Sequence, residues 1–292
     1  MHDFDYVVAG DLSEATRLLS ENRGTARMLA GGTDLLVIMR AGRRQAKLVI
    51  DAKQIPELNE LSLDDDGLTI GAAVTCRQIW ENRDIASCFP AIIDSASLIG
   101  GIQVQGRATI GGNLCNAAPS ADAIPTLIAY GAIAHIQSSG GDRQLPVEEI
   151  CKAPGQTCLA DDEILVKLTI ARPAEHSGAR FLRFIPRNEM DIAVANVASM
   201  VELDAQGQTF VKARIAMGSV APTPVYVEAA GASLAGQPVN DESIAAAAII
   251  ARDTATPITD MRGTIEHRKQ LVEVLTNRTL KAAVARARGE QS

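Results

Sequence analysis

Apolar and polar positions along this chain repeat with two periods, and each change of period marks an element. Tyr6-Val7-Val8 reads as a strand. Asp11 then stands as a helix N-cap with Glu14 three residues on; Leu12, Ala15, Leu18 and Leu19 share one face, and Gly24 is the stop. Arg27 to Ala30 is a strand entering two glycines, Leu35 to Met39 a short helix, and Leu48 to Asp51 another strand. Strand, loop, helix, strand predicts a small α/β lobe over residues 1–56, with its boundary near Ile55-Pro56.

A second lobe is expected over residues 57–175. Asp64-Asp65-Asp66-Gly67 turns into a strand at Leu68 to Ala72, and three acids before a glycine read as a solvated turn rather than a metal site. Helices are expected after the cap Thr75, through Ile79 and Trp80, and from Pro90 through Leu98. A third follows over Ile124 to Ala129, its start marked by Pro125. Ala132 to Gln137 and the turn Ser139-Gly140-Gly141-Asp142 predict a hairpin in which His135 is structural, and a strand over Ile164 to Ile170 ends at Pro173. His176-Ser177-Gly178 reads as a linker into a third lobe, residues 176–292. There Arg180 to Phe184 opens the lobe, and Asp191 to Val201 fits helix or strand. The turn Asp204 to Gly207 and the run Thr209 to Ala216 favour an antiparallel meander. Helices are expected over Pro224 to Leu234, Asp241 to Asp253 and Thr264 to Arg288.

Two glycine pairs interrupt this pattern. In Thr109-Ile110-Gly111-Gly112-Asn113 two glycines follow a β-branched pair, and they are expected to take positive φ and bring backbone amides close to a ligand, as phosphate-binding turns do. Leu29-Ala30-Gly31-Gly32-Thr33-Asp34-Leu35-Leu36 repeats the device, with a hydroxyl and a carboxylate placed to cap a helix. One such pair is an ordinary turn signal; two suggest a shared diphosphate. Neither matches the glycine fingerprints of dinucleotide-binding or P-loop folds.

Composition narrows the classes. The chain has 292 residues, 47% apolar and 22% charged, with a net charge of -7. That balance predicts a soluble globular protein of two or three lobes. An acidic chain with 3% aromatics lacks the basic stripe and stacking platform of a nucleic-acid binder. The acidic N-terminus and the lack of a long apolar span predict a cytoplasmic protein with no membrane span. Five cysteines without a Cys-x-x-Cys pair indicate neither a disulfide framework nor a metal or iron–sulfur site, and Cys115, set among apolar residues, is expected to be a buried thiol.

The two glycine motifs resemble those of the FAD-binding medium subunits of molybdenum hydroxylases, the family of carbon monoxide dehydrogenase, xanthine dehydrogenase and the bacterial N-heterocycle dehydrogenases. In that family an A-G-G-x-x-L loop and a T-I-G-G-N loop hold the FAD diphosphate, and both stand here intact at Ala30 to Leu35 and Thr109 to Asn113. The resemblance covers nearly the whole chain. It implies an α+β architecture: a two-lobed FAD-binding fold of the vanillyl-alcohol-oxidase/PCMH type, then a C-terminal α/β domain of the carbon monoxide dehydrogenase flavoprotein type. It also implies cofactor-binding roles for Leu29 to Leu36 and Thr109 to Asn113, for Ile99 through the neighbouring Gln103-Val104 match, and for Asp122 at the ribose and adenosine end. Leu165 and Arg183 are implied beside the flavin. Ile192 stands where some relatives have a tyrosine, and Asp260-Met261-Arg262 with Glu266 and Arg268 resembles the family's C-terminal signature, although an ion-pair network explains those residues without chemistry.

The implied function is electron transfer. FAD sits in this chain, while molybdopterin cofactor and 2Fe-2S clusters belong to a large and a small partner subunit, in a heterotrimer or its dimer. Electrons leave for a small-molecule or protein acceptor. No residue of this chain is expected to act as a general acid or base, and no metal is expected. The alternatives are a stand-alone FAD oxidoreductase of the same fold and a non-catalytic nucleotide-binding module.

Overall fold

A computed structural model describes residues 2–290. Its first sheet joins β1 (Asp5–Val8), β2 (Ala26–Leu29) and β3 (Leu48–Asp51), all parallel, in the order β1-β3-β2. Parallel strands need crossovers, which α1 (Leu12–Glu21) and α2 (Leu35–Arg40) supply on opposite faces. The alternation along β3 divides the work. Ile50 packs with Leu12, Ala15 and Leu19 of α1, and Val49 packs with Met39 of α2. Asp11 caps α1, accepting from Glu14 N at 2.7 Å, while the Glu14 carboxylate accepts from Gly10 N at 2.9 Å.

Six short helices follow the first strands of the next lobe, which are β4 (Leu61–Leu63) and β5 (Gly67–Gly71). These helices are α3 (Cys76–Trp80), α4 (Arg83–Cys88), α5 (Pro90–Ala96), α6 (Ile102–Gln105), α7 (Ile110–Asn116) and α8 (Ala123–Tyr130). The chain then forms β6 (Ile133–Ser138), β7 (Gly141–Pro146), the small hairpin β8 (Cys151–Ala153) and β9 (Gln156–Thr157), and β10 (Ile164–Ala171). The main sheet is antiparallel in the order β4-β5-β10-β6-β7, over a core that includes Ile70, Ile79, Phe89, Leu127 and Leu168. Ile164 and Val166 of β10 also enter the core of the first sheet and tie the two lobes together.

The last sheet is an antiparallel meander of β11 (Ser177–Phe184), β12 (Ala195–Leu203), β13 (Phe210–Gly218) and β14 (Val225–Tyr226). Helices α9 (Glu228–Leu234), α10 (Asp241–Thr254) and α11 (Ile265–Ala287) pack with it around Val197, Ile215, Ala247 and Leu280. Among the described residues no helix is long and apolar enough to cross a membrane.

Three expectations change here. Ser177 and Gly178 belong to β11 rather than a linker, because Gly178 is packed against the backbone of α11 near Ala283 and Ala287. The ambiguous 191–201 segment is strand from Ala195, buried on both faces between α8 and the C-terminal helices. Val225 and Tyr226 pair with Met217 and Ala216, so the helix expected from Pro224 starts only at Glu228.

Polar clamps join the last sheet to the helices beneath it. The Asp94 carboxylate on α5 accepts from Arg286 at 2.7 Å, from Arg180 at 3.2 Å and from Phe181 N at 3.3 Å. Arg214 donates to Ile128 O at 3.0 Å and Glu148 at 2.9 Å, with its guanidinium 4.1 Å from the centre of the Tyr226 ring. Asp94→Ala leaves two arginines without their shared carboxylate and is expected to cost about 3 kcal/mol. A urea titration checks this; an unchanged midpoint would show the clamp to be ornamental.

Candidate functional site

A cavity of about 390 Å³ lies where the first sheet meets the second. One wall is the turn Ala30 to Leu35 after β2; a second is the start of α7, Thr109 and Gly111 to Asn113. Ile99 and Leu165 add apolar surface, and Thr157 and Leu159 close the side beyond the β8–β9 hairpin.

The two glycine pairs serve this cavity in different ways. In the first, Gly32 takes φ 77°, a conformation that costs an L side chain dearly. The second pair is not the positive-φ loop expected from sequence. Thr109 caps α7 by accepting from Gly112 N at 2.8 Å, and both glycines lie in the helix's first turn with ordinary helical backbone. Close approach is what requires them: a Cβ on Gly111 would sit 2.6 Å from Ala72 Cα, and one on Gly31 would run into the Arg107 carbonyl. Gly31 therefore brings backbone of the first lobe directly onto backbone of the second, while Gly111 seats the start of α7 on the backbone that follows β5.

This packing leaves amides available. The N–H groups of Gly31, Gly32, Thr33 and Asp34 donate to no acceptor among the described residues, although their turn forms the cavity wall. Unpaired amides gathered on one concave wall fit an anion's oxygens. Asp34 does not cap α2 as expected; its backbone is already helical and its side chain makes no capping bond. Instead its carboxyl stands open to the cavity, and the surrounding protein, by desolvation, raises its pKa above the ordinary carboxylate value.

Of the residues selected from sequence, Ala30, Gly31, Gly32, Thr33, Asp34, Leu35, Ile99, Thr109, Gly111, Gly112, Asn113 and Leu165 line the cavity. Leu29 and Ile110 are instead buried core residues behind it, and Leu36 points outward. Asp122 and Arg183 lie outside the lining, paired with each other. The Asp122 side chain makes no capping bond to α8; it accepts from Arg183 and, at 3.2 Å, from Asn196 Nδ2. Burial pushes the Asp122 carboxyl up, and the Arg183 charge pulls it back down. Ile192 is half exposed before β12, and Arg268 is structural: buried, it donates to Val194 O at 2.7 Å, Ser219 O at 2.9 Å and Asp260 at 2.7 Å.

Cys115 corrects another expectation. Its side chain is exposed to the cavity rather than enclosed by apolar neighbours, because the last turn of α7 faces inward. The mass of protein around it still pushes its thiol up to about 12. Sequence reading also missed the wall built by Thr157 and Leu159, for which Pro154-Gly155 between two short extended runs was the available turn signal. Glu163, another lining residue, is held below the usual carboxylate range by hydrogen bonds from Arg143, at 2.6 and 2.7 Å.

Two lobes, two glycine-packed turns and one shared cavity describe a known architecture. Residues 2–173 match the family described as the FAD binding domain in molybdopterin dehydrogenase, and residues 180–283 match the CO dehydrogenase flavoprotein C-terminal domain. This chain belongs to that flavoprotein family. It is 35% identical to the xanthine dehydrogenase FAD-binding subunit of Escherichia coli O157:H7, over 99% of each chain. Among solved structures it is similar to a chain of carbon monoxide dehydrogenase from Hydrogenophaga pseudoflava, with TM-score 0.93, 29% identity and 98% of each chain covered. Quinoline 2-oxidoreductase from Pseudomonas putida 86 gives TM-score 0.90 at 28% identity, covering 98% of each chain. The cofactor of the family is thus FAD, and the unpaired amides of the Gly31 turn are chemistry that a diphosphate satisfies.

The Asp34 shift gives this flavoprotein a testable pH dependence. A carboxyl whose pKa is higher folded than unfolded contributes fully below its ordinary value of 3.8 and loses that contribution as pH rises through the folded value. Asp34→Asn should therefore raise the melting temperature of the cofactor-free chain at neutral pH, with the gain disappearing in acid. A lower melting temperature at neutral pH would show that the ionised carboxylate is stabilised instead.

Proposed function

We propose that this chain is the electron-transferring FAD subunit of a molybdenum hydroxylase complex. One observation carries the reading: turns from two lobes, each packed through glycine onto backbone, enclose a single cavity and present unpaired amides to it. The relatives support it, being FAD subunits or medium chains of multi-subunit dehydrogenases. We divide the chain at residues 1–56, 57–175 and 176–292, the first two lobes holding the cofactor between them.

When bound, FAD supplies a centre that accepts electrons singly and releases them in pairs. The chain's own part is binding and orientation. Gly31 to Asp34 would hold diphosphate oxygens through their amides, with the first turn of α7 forming the other wall of the cavity. Ile99 and Leu165 offer apolar surface for the ring system and keep water from it, and the Asp122–Arg183 pair sets the charge at the junction with the last lobe. A small 2Fe-2S subunit and a large molybdenum-cofactor subunit complete the proposed heterotrimer, or its dimer, and a small N-heteroaromatic compound is oxidised in the large subunit. Five free cysteines support a reducing, cytoplasmic setting.

Gly112→Val tests the cradle. Gly112 lines the cavity and a Cβ there meets only the far end of the Thr109 side chain, so a branched side chain should take up the space the diphosphate needs, and FAD binding should be lost while the chain stays folded. Wild-type FAD should be released into a yellow supernatant by acid precipitation; a yellow pellet would mean a covalent bond. The subunit reading itself is tested without oxygen, with xanthine, nicotinate and quinoline as probes. Bleaching of the flavin by a probe is expected only after both partner subunits are added. Bleaching by the chain alone would establish the stand-alone oxidoreductase.

A further inference from the structure

The outer face of the first sheet carries an arrangement that the cofactor cavity does not use. β1 is an edge strand, and its Tyr6 and Val8 are 52% and 48% exposed. In register they oppose Val49 and Asp51, so they share the sheet face on which α2 packs. α2 in turn exposes Val37, at 64%, and Leu36, at 39%. The Tyr6 hydroxyl donates to the Asp51 carboxylate, which also accepts from Lys53, so the ring is held in place. Four large apolar side chains, two on the edge strand and two on the helix that packs over the same sheet face, are thus exposed on one side of this lobe, and exposed apolar surface of that kind marks interaction sites.

Cations border this patch. Arg40 ends α2, and Arg43, Arg44 and Lys47 follow, all exposed. The chain doubles back there, with Gly42 N donating to Met39 O and Arg43 N to Ile38 O, and this keeps the charges at one end of the helix. None of the four forms an ion pair among the described residues, and the neighbouring carboxylates Asp5 and Asp34 are not paired with them either. Many arginines elsewhere in this acidic chain do meet acids, as in Arg143–Glu163, Arg214–Glu148 and Arg286–Asp94. A helix C-terminus favours a cation, which accounts for Arg40 but not for the group or for the bare apolar centre beside it.

We propose that this face docks a partner protein subunit whose own face is acidic around an apolar centre. Tyr6, Val8, Leu36 and Val37 form the core of the contact, and Arg40, Arg43 and Lys47 its charged rim. The inference rests on the subunit reading and adds to it a place on the molecule. That place lies next to the cofactor cavity, because Leu35, Ile38 and Arg44 of the same segment line the cavity from within. A protein is favoured over an anionic membrane because α2, at six residues, is too short to lie in a bilayer interface and half of the apolar patch is sheet edge.

The test co-expresses the tagged chain with the 2Fe-2S and molybdenum-cofactor subunits from its source genome. It compares wild type, the R40E/R43E/K47E triple variant, V37E and the charge-keeping R40K/R43K. Arg44 is left intact because it lines the cavity. Expected are wild-type FAD content in every variant, partner affinity reduced at least about tenfold in the triple variant and in V37E, and near-wild-type assembly in R40K/R43K. Wild-type affinity should fall with added salt, and the triple variant should lose most of that dependence. Undiminished assembly of the triple variant overturns the proposal, as does loss of FAD from it, which would assign the cations to the cofactor. Wild-type binding to phosphatidylserine vesicles that V37E abolishes, with subunit assembly unaffected, also overturns it. A wild-type chain that assembles with neither subunit removes the subunit reading, and this inference with it.

Discussion

Direct backbone-on-backbone contact at the two glycine turns is the constraint from which the site follows. Gly31 of the first lobe lies against the Arg107 carbonyl of the second, and within the second lobe Gly111 lies against Ala72, at separations that no β-carbon permits. With both turns pressed together, the amides of Gly31 to Asp34 lose any local partner and line a cavity instead. Those amides face partly open space, and an anion is the kind of ligand whose oxygens match them.

The last lobe enters through different forces. Its meander is joined to the helices beneath by apolar contacts such as Ala129 of α8 with Phe181 and Ala198, and by clamps such as Asp94 with Arg180 and Arg286. Apolar burial supplies the non-directional part of that contact, and the clamps supply orientation. The Asp122–Arg183 pair belongs to the same junction: one partner stands at the start of α8 and the other on β11. Such a pair holds its geometry only while both lobes stay docked.

Much of the architecture was legible in short-range patterns. The strand at Leu48 to Asp51, the Asp11 cap of α1, the proline that opens α5 and the turn at Asp204 to Gly207 are consequences of local sterics and hydrogen bonding, and they appear where those rules place them. The twin glycine motifs were legible too, as were the family and its cofactor, because a backbone that must touch another backbone admits little besides glycine.

What those glycines do was decided only by the tertiary fold. The sequence Thr109 to Asn113 is equally compatible with a positive-φ loop and with a capped helix; Ala72, far back in the chain, determines the outcome by packing against Gly111. Asp122 precedes the helix that Pro125 marks, but its partner Arg183 lies 61 residues away and holds the carboxylate outside the cavity lining. Cys115 was expected to be buried on the character of its neighbours, yet the cavity beside it is assembled from Ala30, Thr157 and Leu165, which no local pattern connects to it. Local sequence determined which conformations each segment finds cheap. Contacts between residues distant in the chain decided which of them was used, because burial and electrostatics depend on what lies across the gap.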